Sequence, residues 1–332
     1  MKRFAFLAVL AAAVISGCGK SNTDNTSASN GATPPPAASK KVKLAFITNN
    51  TAPFWTICRK GCEQAVKEQP NIDLDFRLDA DATANTQKQL IQDLLTKSTM
   101  GIAISPETPA AQTETLNAVA DQPGHVLVTS DSDAPDSKRA FYIGTDNEKA
   151  GEQAGQEILK ALPNGGKIML FVGNVGSQNA IDRIGGIKSV LKDKVTILDV
   201  RTDDAIAQTA KANAQDTITK YPDISMLVGI YSYDGPAIVS AVTEAGKKGQ
   251  IKVICFDEED VTLQGIKDGV VTSTIVQNPY EFGHQSMLDM YQYLTSADHS
   301  FIPADKRIIV PTRVIGKDNV DEFWADLKLK RA

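Results

Sequence analysis

The sequence predicts an α/β protein of two similar domains, each built around a parallel β-sheet that helices cover on both faces. Short β-branched and apolar runs alternate with longer stretches of helical period along the chain, which is typical of parallel sheets. This alternation begins a second time near residue 147. Residues 41–332 are also long enough for two ordinary domains.

The first series follows residue 40 and alternates strands with amphipathic helices. In its second helix Leu90, Ile91, Leu94 and Leu95 recur at helical spacing and form one inner face. The predicted strands are 42–48, 72–78, 101–105, 126–129 and 141–143, and the predicted helices are 54–68, 86–97 and 110–120.

The second series repeats this pattern from residue 147 onward. We expect the last helix and strand, 279–294 and 307–310, to return to the first domain. The other predicted helices are 147–161, 181–191, 205–221, 237–245 and 261–268, and the strands are 167–172, 195–200, 226–230, 252–256 and 272–277.

The first 40 residues are set apart from the fold. Lys2 and Arg3 precede an apolar run at 4–15, which is too short to span a bilayer and predicts a secretory signal. Residues 15–18, Ile-Ser-Gly-Cys, resemble a bacterial lipobox, although Ile15 stands where Leu is usual. The resemblance implies a signal at 1–18 with lipidation of Cys18; an ordinary cleaved signal is the alternative.

Residues 19–40 consist mainly of small and polar residues and proline, with no large apolar side chain. Such a stretch buries too little surface to offset its ordering entropy, so we expect a disordered tether. Together with the lipobox it predicts an exported protein, lipid-anchored on the periplasmic side of the bacterial cell envelope.

The composition excludes several classes of protein. The net charge is −5 and no dense block of Lys and Arg occurs, which argues against nucleic acid or an anionic membrane surface as partner. After the signal three cysteines remain, Cys58, Cys62 and Cys255, and the three histidines show no metal-ligand spacing. We therefore expect buried free thiols, no metal and no cofactor; a Cys58–Cys62 bridge is the alternative, but it would strain a helix.

Candidate ligand-binding residues stand directly after the predicted strands, where parallel sheets bind their ligands. This set is rich in carboxylates, amides, hydroxyls and aromatics, and poor in His, Lys and Cys. Carboxylates paired with amide or guanidinium donors suit the hydroxyls of a polyhydroxylated ligand. The alternative for each single Asp is a helix N-cap. The residues are Asn49, Asn50, Thr51, Ser105, Asp131, Ser132, Asp133, Asp203, Asp204, Tyr231, Ser232, Tyr233, Asp234, Asp257, Glu258, Glu259, Gln277 and Asn278.

Several of these motifs, in order along the chain, resemble the ribose-binding family of periplasmic sugar-binding proteins. The turn at 48–55, Thr-Asn-Asn-Thr-Ala-Pro-Phe-Trp, is similar to their first strand-to-helix turn. Asp146-Asn147 and the segment 274–277 resemble their first two crossings between domains. Similar motifs are Arg183-Ile184-Gly185-Gly186, Tyr221-Pro222-Asp223-Ile224 and Phe256-Asp257.

The resemblance implies a type I periplasmic binding protein, with two Rossmann-like domains joined by a three-stranded hinge. The implied N-terminal domain is 41–146 plus 278–308, and the C-terminal domain is 147–277 plus 309–332. It further implies that Phe54 and Trp55 flank a sugar ring. The residues that the resemblance assigns to binding the hydroxyl groups of the sugar are Asn50, Thr51, Ser105, Asp131, Ser132, Arg183, Tyr233, Asp234, Asp257 and Gln277.

Four of these positions depart from the family pattern, since Thr51, Ser105 and Tyr233 replace Asn and Ser132 replaces Arg. A fifth departure is Ala205, which stands where a second aromatic is usual, so that stack is either missing or supplied by Tyr231 or Tyr233. Three of the residues assigned through the resemblance also have a purely structural alternative. These alternatives are an ion pair for Arg183, core packing for Trp55 and a role in the hinge backbone for Gln277.

The function implied is a substrate-binding lipoprotein of an ABC importer that captures a monosaccharide or related polyol by hinge closure. We expect a monomer, whose partner is a membrane ABC permease. A protein that presents its ligand to a chemoreceptor or histidine kinase is the alternative. We expect no enzymatic activity, because Asp131 and Asp257 lie on two domains that move relative to each other and so do not form a fixed pair of glycosidase carboxylates.

Overall fold

The computed structural model describes residues 41–331 and contains two six-stranded sheets within that range. The first sheet has the strand order β11-β5-β4-β3-β1-β2, and all its pairs are parallel. Its strands are β1 Val42–Ile47, β2 Ile72–Arg77, β3 Gly101–Ile104, β4 Val126–Ser130, β5 Phe141–Gly144 and β11 Arg307–Ile309. The helices α1 Phe54–Glu68, α2 Ala84–Thr96, α3 Pro109–Ala120 and α9 Pro279–Thr295 pack against it. We call this part the first lobe.

The second lobe has the same plan, with the strand order β12-β10-β9-β8-β6-β7. Its strands are β6 Lys167–Val172, β7 Thr196–Thr202, β8 Met226–Gly229, β9 Lys252–Phe256, β10 Ser273–Val276 and β12 Arg313–Gly316, of which only β12 pairs antiparallel. Its helices are α4 Asn147–Ala161, α5 Gln178–Leu191, α6 Ala207–Lys220, α7 Asp234–Glu244, α8 Asp260–Asp268 and α10 Val320–Arg331. The predicted fold class is confirmed.

Alternation along the buried strands explains why both faces of each sheet are covered. In β4 all five residues are buried, and Val126 and Val128 enter one apolar cluster while Leu127 enters another on the opposite face. In β6 Ile168 and Leu170 belong to one apolar cluster, and Met169 and Phe171 belong to another on the opposite face. A two-residue side-chain period thus gives each strand two apolar faces.

Two elements at the end of the chain were missing from the prediction, β12 and α10. The strand β12 is only four residues long and half-exposed, so its alternation is too short to be recognised. The helix α10 buries only Val320, Phe323 and Leu327. Most of its other residues are charged, and its remaining large apolar residues, Trp324 and Leu329, are half-buried and exposed, respectively. The predicted strand at 307–310 does return to the first sheet, because Arg307–Ile309 pairs with β5.

The three cysteines in the described range, Cys58, Cys62 and Cys255, are free and buried. Burial, followed by the neighbouring Cys62, raises the pKa of the Cys58 thiol well above its ordinary value, so it is a poor nucleophile. No helix between residues 41 and 331 is long and apolar enough to cross a membrane. The predicted signal, Cys18 and the tether lie outside the described residues.

Close packing of α4 on α5 holds the backbone that carries part of the candidate site. A Cβ added at Gly186 would lie 2.2 Å from the carbonyl oxygen of Glu148, and one added at Gly151 would lie 2.2 Å from that of Arg183. Since real Cβ contacts are never this short, the two helices approach through glycine. At the neighbouring Gly185 an added Cβ meets nothing within 4 Å.

Substitution of these two neighbouring glycines by alanine should have opposite effects on the stability of the fold. Gly185→Ala should raise the free energy of unfolding by about 0.5–1 kcal/mol, because Ala loses less backbone entropy in a helix. Gly186→Ala should lower it by about 1–3 kcal/mol, because the methyl group pushes α5 away from α4. Urea unfolding followed by circular dichroism measures both; equal effects of the two variants would show that the helices are not in close contact.

Candidate ligand-binding site

A cavity lies between the two lobes at the carboxyl ends of their strands, where the predicted site residues were expected. About 310 Å³ in this region is free of protein atoms, including space that is open to solvent. Residues of both lobes line it: Asn49, Asn50, Ala52, Phe54, Trp55, Asp131, Asn179, Arg183, Tyr231, Ser232, Tyr233, Asp257 and Gln277.

Of the twelve residues that the resemblance assigns to the ligand, eight line this cavity and four do not. The other strand-end candidates outside the lining are Asp133, Asp203, Asp204, Glu258, Glu259 and Asn278. Thr51 is exposed outside the lining, and Ser132 is fully buried. Ser105 lies beneath the cavity wall and donates its hydroxyl hydrogen to Oδ2 of Asp131 at 2.9 Å. Asp234 is buried at the first position of α7, where Oδ2 accepts the N–H groups of Ile230 and Tyr231. Ser105 and Asp234 therefore shape the site from behind.

The aromatic side of the cavity is positioned by Asn50 in the turn before α1. Its Oδ1 accepts the indole N–H of Trp55 at 3.0 Å and the backbone N–H of Ala52 at 2.9 Å. The rings of Phe54 and Trp55 meet edge to face, with centroids 5.0 Å apart. Trp55 is only 2% exposed and belongs to the first lobe's core. Core packing and cavity lining are thus two roles of one rigid residue.

Asp131 and Asp257 occupy corresponding positions in the two lobes. Asp131 directly follows β4 and Asp257 directly follows β9, and their φ angles are 65° and 66°, both left-handed. Each donates its backbone N–H to the next strand, Asp131 to Ile143 at 3.1 Å and Asp257 to Ile275 at 2.8 Å. Each lobe therefore presents one carboxylate to the cavity in the same way.

Both carboxylates are buried and have polar partners. Asp131 Oδ2 accepts a hydrogen bond from Asn179 Nδ2 at 3.2 Å, and Asp257 Oδ1 accepts one from Gln277 Nε2 at 2.9 Å. Burial raises the pKa of both carboxyls, that of Asp257 to about 6, while the positive charge of Arg183 opposes the shift. The site can therefore accept hydrogen bonds near neutral pH, but at an electrostatic cost.

Arg183, at 1% exposure, supplies the cation of the site. Its Nε donates to Oδ1 of Asn147 at 2.9 Å, and its Nη1 donates to the carbonyl of Ile230 at 2.8 Å. The guanidinium carbon lies 4.6 Å from the ring centroid of Phe256. Its buried Nη2 makes no hydrogen bond to any residue in the described range. The guanidinium is thus held rigidly, with one nitrogen left to bind a ligand oxygen.

Asn179 is a lining residue that the sequence prediction missed. Its Nδ2 donates to Asp131 of the first lobe, and its Oδ1 accepts the hydroxyl hydrogen of Tyr231 at 3.0 Å. The helix was expected to begin at residue 181, but α5 begins at Gln178, and this places Asn179 in its first turn. Ser177, a residue type common at the N-cap, stands directly before Gln178 and was the available signal.

Tyr231 and Tyr233 form the aromatic part of the second lobe's wall, while Ala205 is not among the lining residues. The two rings are 6.2 Å apart between centroids and inclined by 72°. Tyr233 donates its hydroxyl hydrogen to Oδ1 of Asp203 at 3.0 Å. Of the two alternatives for the second aromatic, the geometry favours the tyrosines.

The lining combines aromatic faces with hydrogen-bonding groups and contains no His, Lys or Cys among the residues that the structure describes. Carboxylates accept, the guanidinium donates, and the amides of Asn179 and Gln277 can do both. This set can bind a small molecule with several hydroxyl groups. It offers no nucleophile paired with a base, as covalent catalysis would need.

Known proteins share this sequence pattern and fold. A family model described as a periplasmic binding protein domain matches residues 44–298. The xylose/arabinose-binding protein XylF of Sulfolobus acidocaldarius is 26% identical over 276 residues, which are 76% of this chain and 66% of that protein. The chain thus spans just under two thirds of XylF.

Two solved structures are similar over most of the chain. An ABC transporter solute-binding protein from Burkholderia graminis C4D1M, in complex with D-arabinose, has a TM-score of 0.79 and 28% identity, covering 84% of this chain and 96% of that one. A chain of the XylFII–LytSN complex has a TM-score of 0.76 and 27% identity, covering 84% of this chain and 98% of that one.

Proposed function

This chain belongs to the periplasmic binding protein family, and from that membership we propose that it captures a monosaccharide or related polyol for an ABC importer. The family places the protein outside the cytoplasm, and it is a binding protein, not an enzyme. The relative from B. graminis is an ABC transporter solute-binding protein in complex with D-arabinose.

One observation carries the proposal: polar side chains from both lobes meet around a single cavity. Asp131 of the first lobe hydrogen-bonds Asn179 of the second across it, and Arg183 and Asp257 line it from the second lobe. A sugar bound there touches both lobes at once. It therefore favours the closed arrangement of the lobes by its additional contacts in that state.

Each group has a distinct part in this proposal. Phe54 and Trp55 cover the C–H face of the ring, which is apolar. Asp131 and Asp257 accept hydrogen bonds from ligand hydroxyls, and Arg183 donates to a ring or hydroxyl oxygen. Gln277 joins the site to the hinge, because its Oε1 accepts the hydroxyl hydrogen of Thr145 at 2.9 Å. Ligand contact and hinge position are thus linked through one side chain.

The test is isothermal titration of residues 41–332 with D-arabinose, D-xylose, D-ribose, D-allose and D-glucose, after unfolding and refolding to remove carried ligand. We expect one of these sugars to bind and to raise the melting temperature, since a ligand at a hundredfold excess over its Kd stabilises by about 2.7 kcal/mol. If only nucleosides or amino acids bind in a wider panel, the sugar assignment is wrong.

Presentation of the bound ligand to a sensor is the second candidate, favoured by the similarity to a chain that forms the XylFII–LytSN complex. The cavity would serve either role, since both require capture and closure. Pull-down from membranes with sugar-loaded protein separates them: recovery of a permease supports import, and recovery of a chemoreceptor or histidine kinase supports sensing.

The proposal also covers the chain's attachment and movement. We place a lipid anchor at Cys18, which lies outside the described residues, and a monomer that moves about crossings near residues 146, 277 and 309. These boundaries divide the lobes into 41–146 plus 278–308 and 147–277 plus 309–332. Mass spectrometry of the membrane-extracted protein should find a diacylglyceryl group on Cys18. An unmodified Cys18 would show that the proposed lipid anchor is wrong.

A further inference from the structure

Glu107, in the loop between β3 and α3, joins the first lobe to the second. Its Oε1 accepts the side-chain N–H of Asn174 at 2.9 Å. Its backbone carbonyl accepts the hydroxyl hydrogen of Ser177 at 2.6 Å. Asn174 and Ser177 both belong to the loop between β6 and α5 in the second lobe. Closure of the two lobes therefore covers Glu107 with polar groups of the opposite lobe.

The first lobe holds Glu107 in place from behind. Its backbone N–H donates to Oε1 of Gln87 at 3.0 Å, and the Gln87 amide donates to the carbonyls of Thr48 and Ser105. This network links the loop to the ends of β1 and β3. Glu107 is consequently fixed on the first lobe, and its side chain cannot follow the second lobe when the cavity opens.

Three carboxylates act on Glu107 through their charge. They are the carboxylates of Asp79 after β2, Asp131 after β4 and Asp204 after β7. Glu107 is 8% exposed. Burial raises the pKa of Glu107 to about 7, the hydrogen bond from Asn174 opposes this, and the three aspartates add to the rise. Asp204 belongs to the second lobe, so closure adds both burial and a like charge.

We propose that Glu107 is a positioning residue for ligand capture, and that its carboxyl takes up a proton as the two lobes close on it. The inference rests on the proposed sugar capture by hinge closure. A protonated carboxyl keeps an oxygen that accepts from Asn174 and is not repelled by Asp204, the carboxylate that closure brings near. Closure is therefore easier with a neutral Glu107 than with a charged one.

The sign of the pH dependence follows from linkage. In the open protein Glu107 is solvated and separated from Asp204, so its pKa lies closer to the ordinary 4.5 than in the closed protein, where it is about 7. Between these values the closed state binds more protons than the open state. The affinity for ligand consequently falls as pH rises from about 5 to about 7, by at most about tenfold per pH unit from this group.

The matched variant is Glu107→Gln, which keeps an oxygen to accept from Asn174 and is neutral at every pH. We expect it to bind D-arabinose, or whichever of the five sugars named above binds, with the same affinity as the wild type at pH 4, below both pKa values of the wild-type carboxyl. At pH 8 it should bind about tenfold or more tightly than the wild type. Titration at pH 6.5 in buffers of different ionisation enthalpy should show proton uptake by the wild type and less by the variant. Glu114→Gln, on the exposed face of α3, is the control and should behave as wild type.

A second measurement needs no ligand and so tests the proposal even where sugar binding fails. Small-angle X-ray scattering should give a larger radius of gyration for the wild type at pH 8 than at pH 5.5, and a pH-independent value for Glu107→Gln. Equal pH profiles and equal proton uptake for the two proteins would overturn the proposal while leaving sugar capture intact. If no sugar binds but the scattering difference is present, the assignment of a sugar as ligand is wrong and the proposal for Glu107 stands.

Discussion

Arg183→Met should bind sugar about thirtyfold to several thousandfold more weakly than the wild type, the equivalent of roughly 2–5 kcal/mol. The methionine fills a similar volume but donates no hydrogen bond and carries no positive charge to act on Asp131 and Asp257. The Arg183 charge lowers the pKa of both carboxyls. Without it both take up protons at higher pH, and isothermal titration at pH 7 measures the combined loss.

Two further variants separate this effect from general damage to the fold. Lys188→Met changes an exposed cation on the same helix and should bind as the wild type does. Arg183→Lys keeps the charge but cannot reproduce the two directed bonds to Asn147 and Ile230, so intermediate binding is expected. Wild-type affinity of a folded Arg183→Met protein would show that the guanidinium does not touch the ligand.

Asp257→Asn should weaken sugar binding and strengthen the fold at the same time. The loss of a charged acceptor costs about 1.5–3 kcal/mol of binding, roughly ten- to a hundredfold in Kd. Asn keeps an oxygen to accept from Gln277 and tolerates the left-handed φ of 66° at this position. The variant therefore removes the charge and leaves the backbone unchanged.

The stability effect follows from the raised pKa of Asp257. Burial raises this pKa from 3.8 to about 6, so the folded state binds the proton more tightly than the unfolded state. The free energy of unfolding of the wild type falls as pH rises through this window, and stays lowered above it. The Asn variant escapes this loss.

Melting temperatures without ligand should accordingly be similar at pH 4 and higher for Asp257→Asn at pH 8. Asp257→Ala offers a contrast. Alanine in the left-handed region lowers the free energy of unfolding by about 1–2 kcal/mol, so this variant should melt at a lower temperature than Asp257→Asn. If Asp257→Asn melts lower than the wild type at pH 8, Asp257 stabilises the fold and is not held there for its ligand.

Much of the fold was predictable because it depends on local periodicity. The predicted bounds of α1, α4, β6 and β9 are those of the structure. Each is bordered by turn residues and has an apolar pattern of one clear period. The weakly patterned β12 and α10 were missed, since their few apolar residues become informative only when the second lobe's core is assembled.

The candidate site was predictable in part, because the carboxyl ends of parallel strands converge on one edge. That rule led to Asp131 and Asp257, and the family resemblance led to Arg183; all three line one cavity. It also included Ser105 and Asp234, whose side chains turn beneath the cavity to bind Asp131 and backbone N–H groups. The rule gives the end of a strand but not the direction in which a side chain points.

The sequence by itself determined the two-lobed α/β architecture and the chemistry available at the strand ends. Residue order and side-chain type suffice for both, because hydrophobic period and strand polarity are local properties. Only the tertiary structure decided that Asn179 reaches Asp131 and that Glu107 meets Asn174 across the lobes. These pairs lie 48 and 67 residues apart, and their contacts depend on how two separately formed sheets face each other.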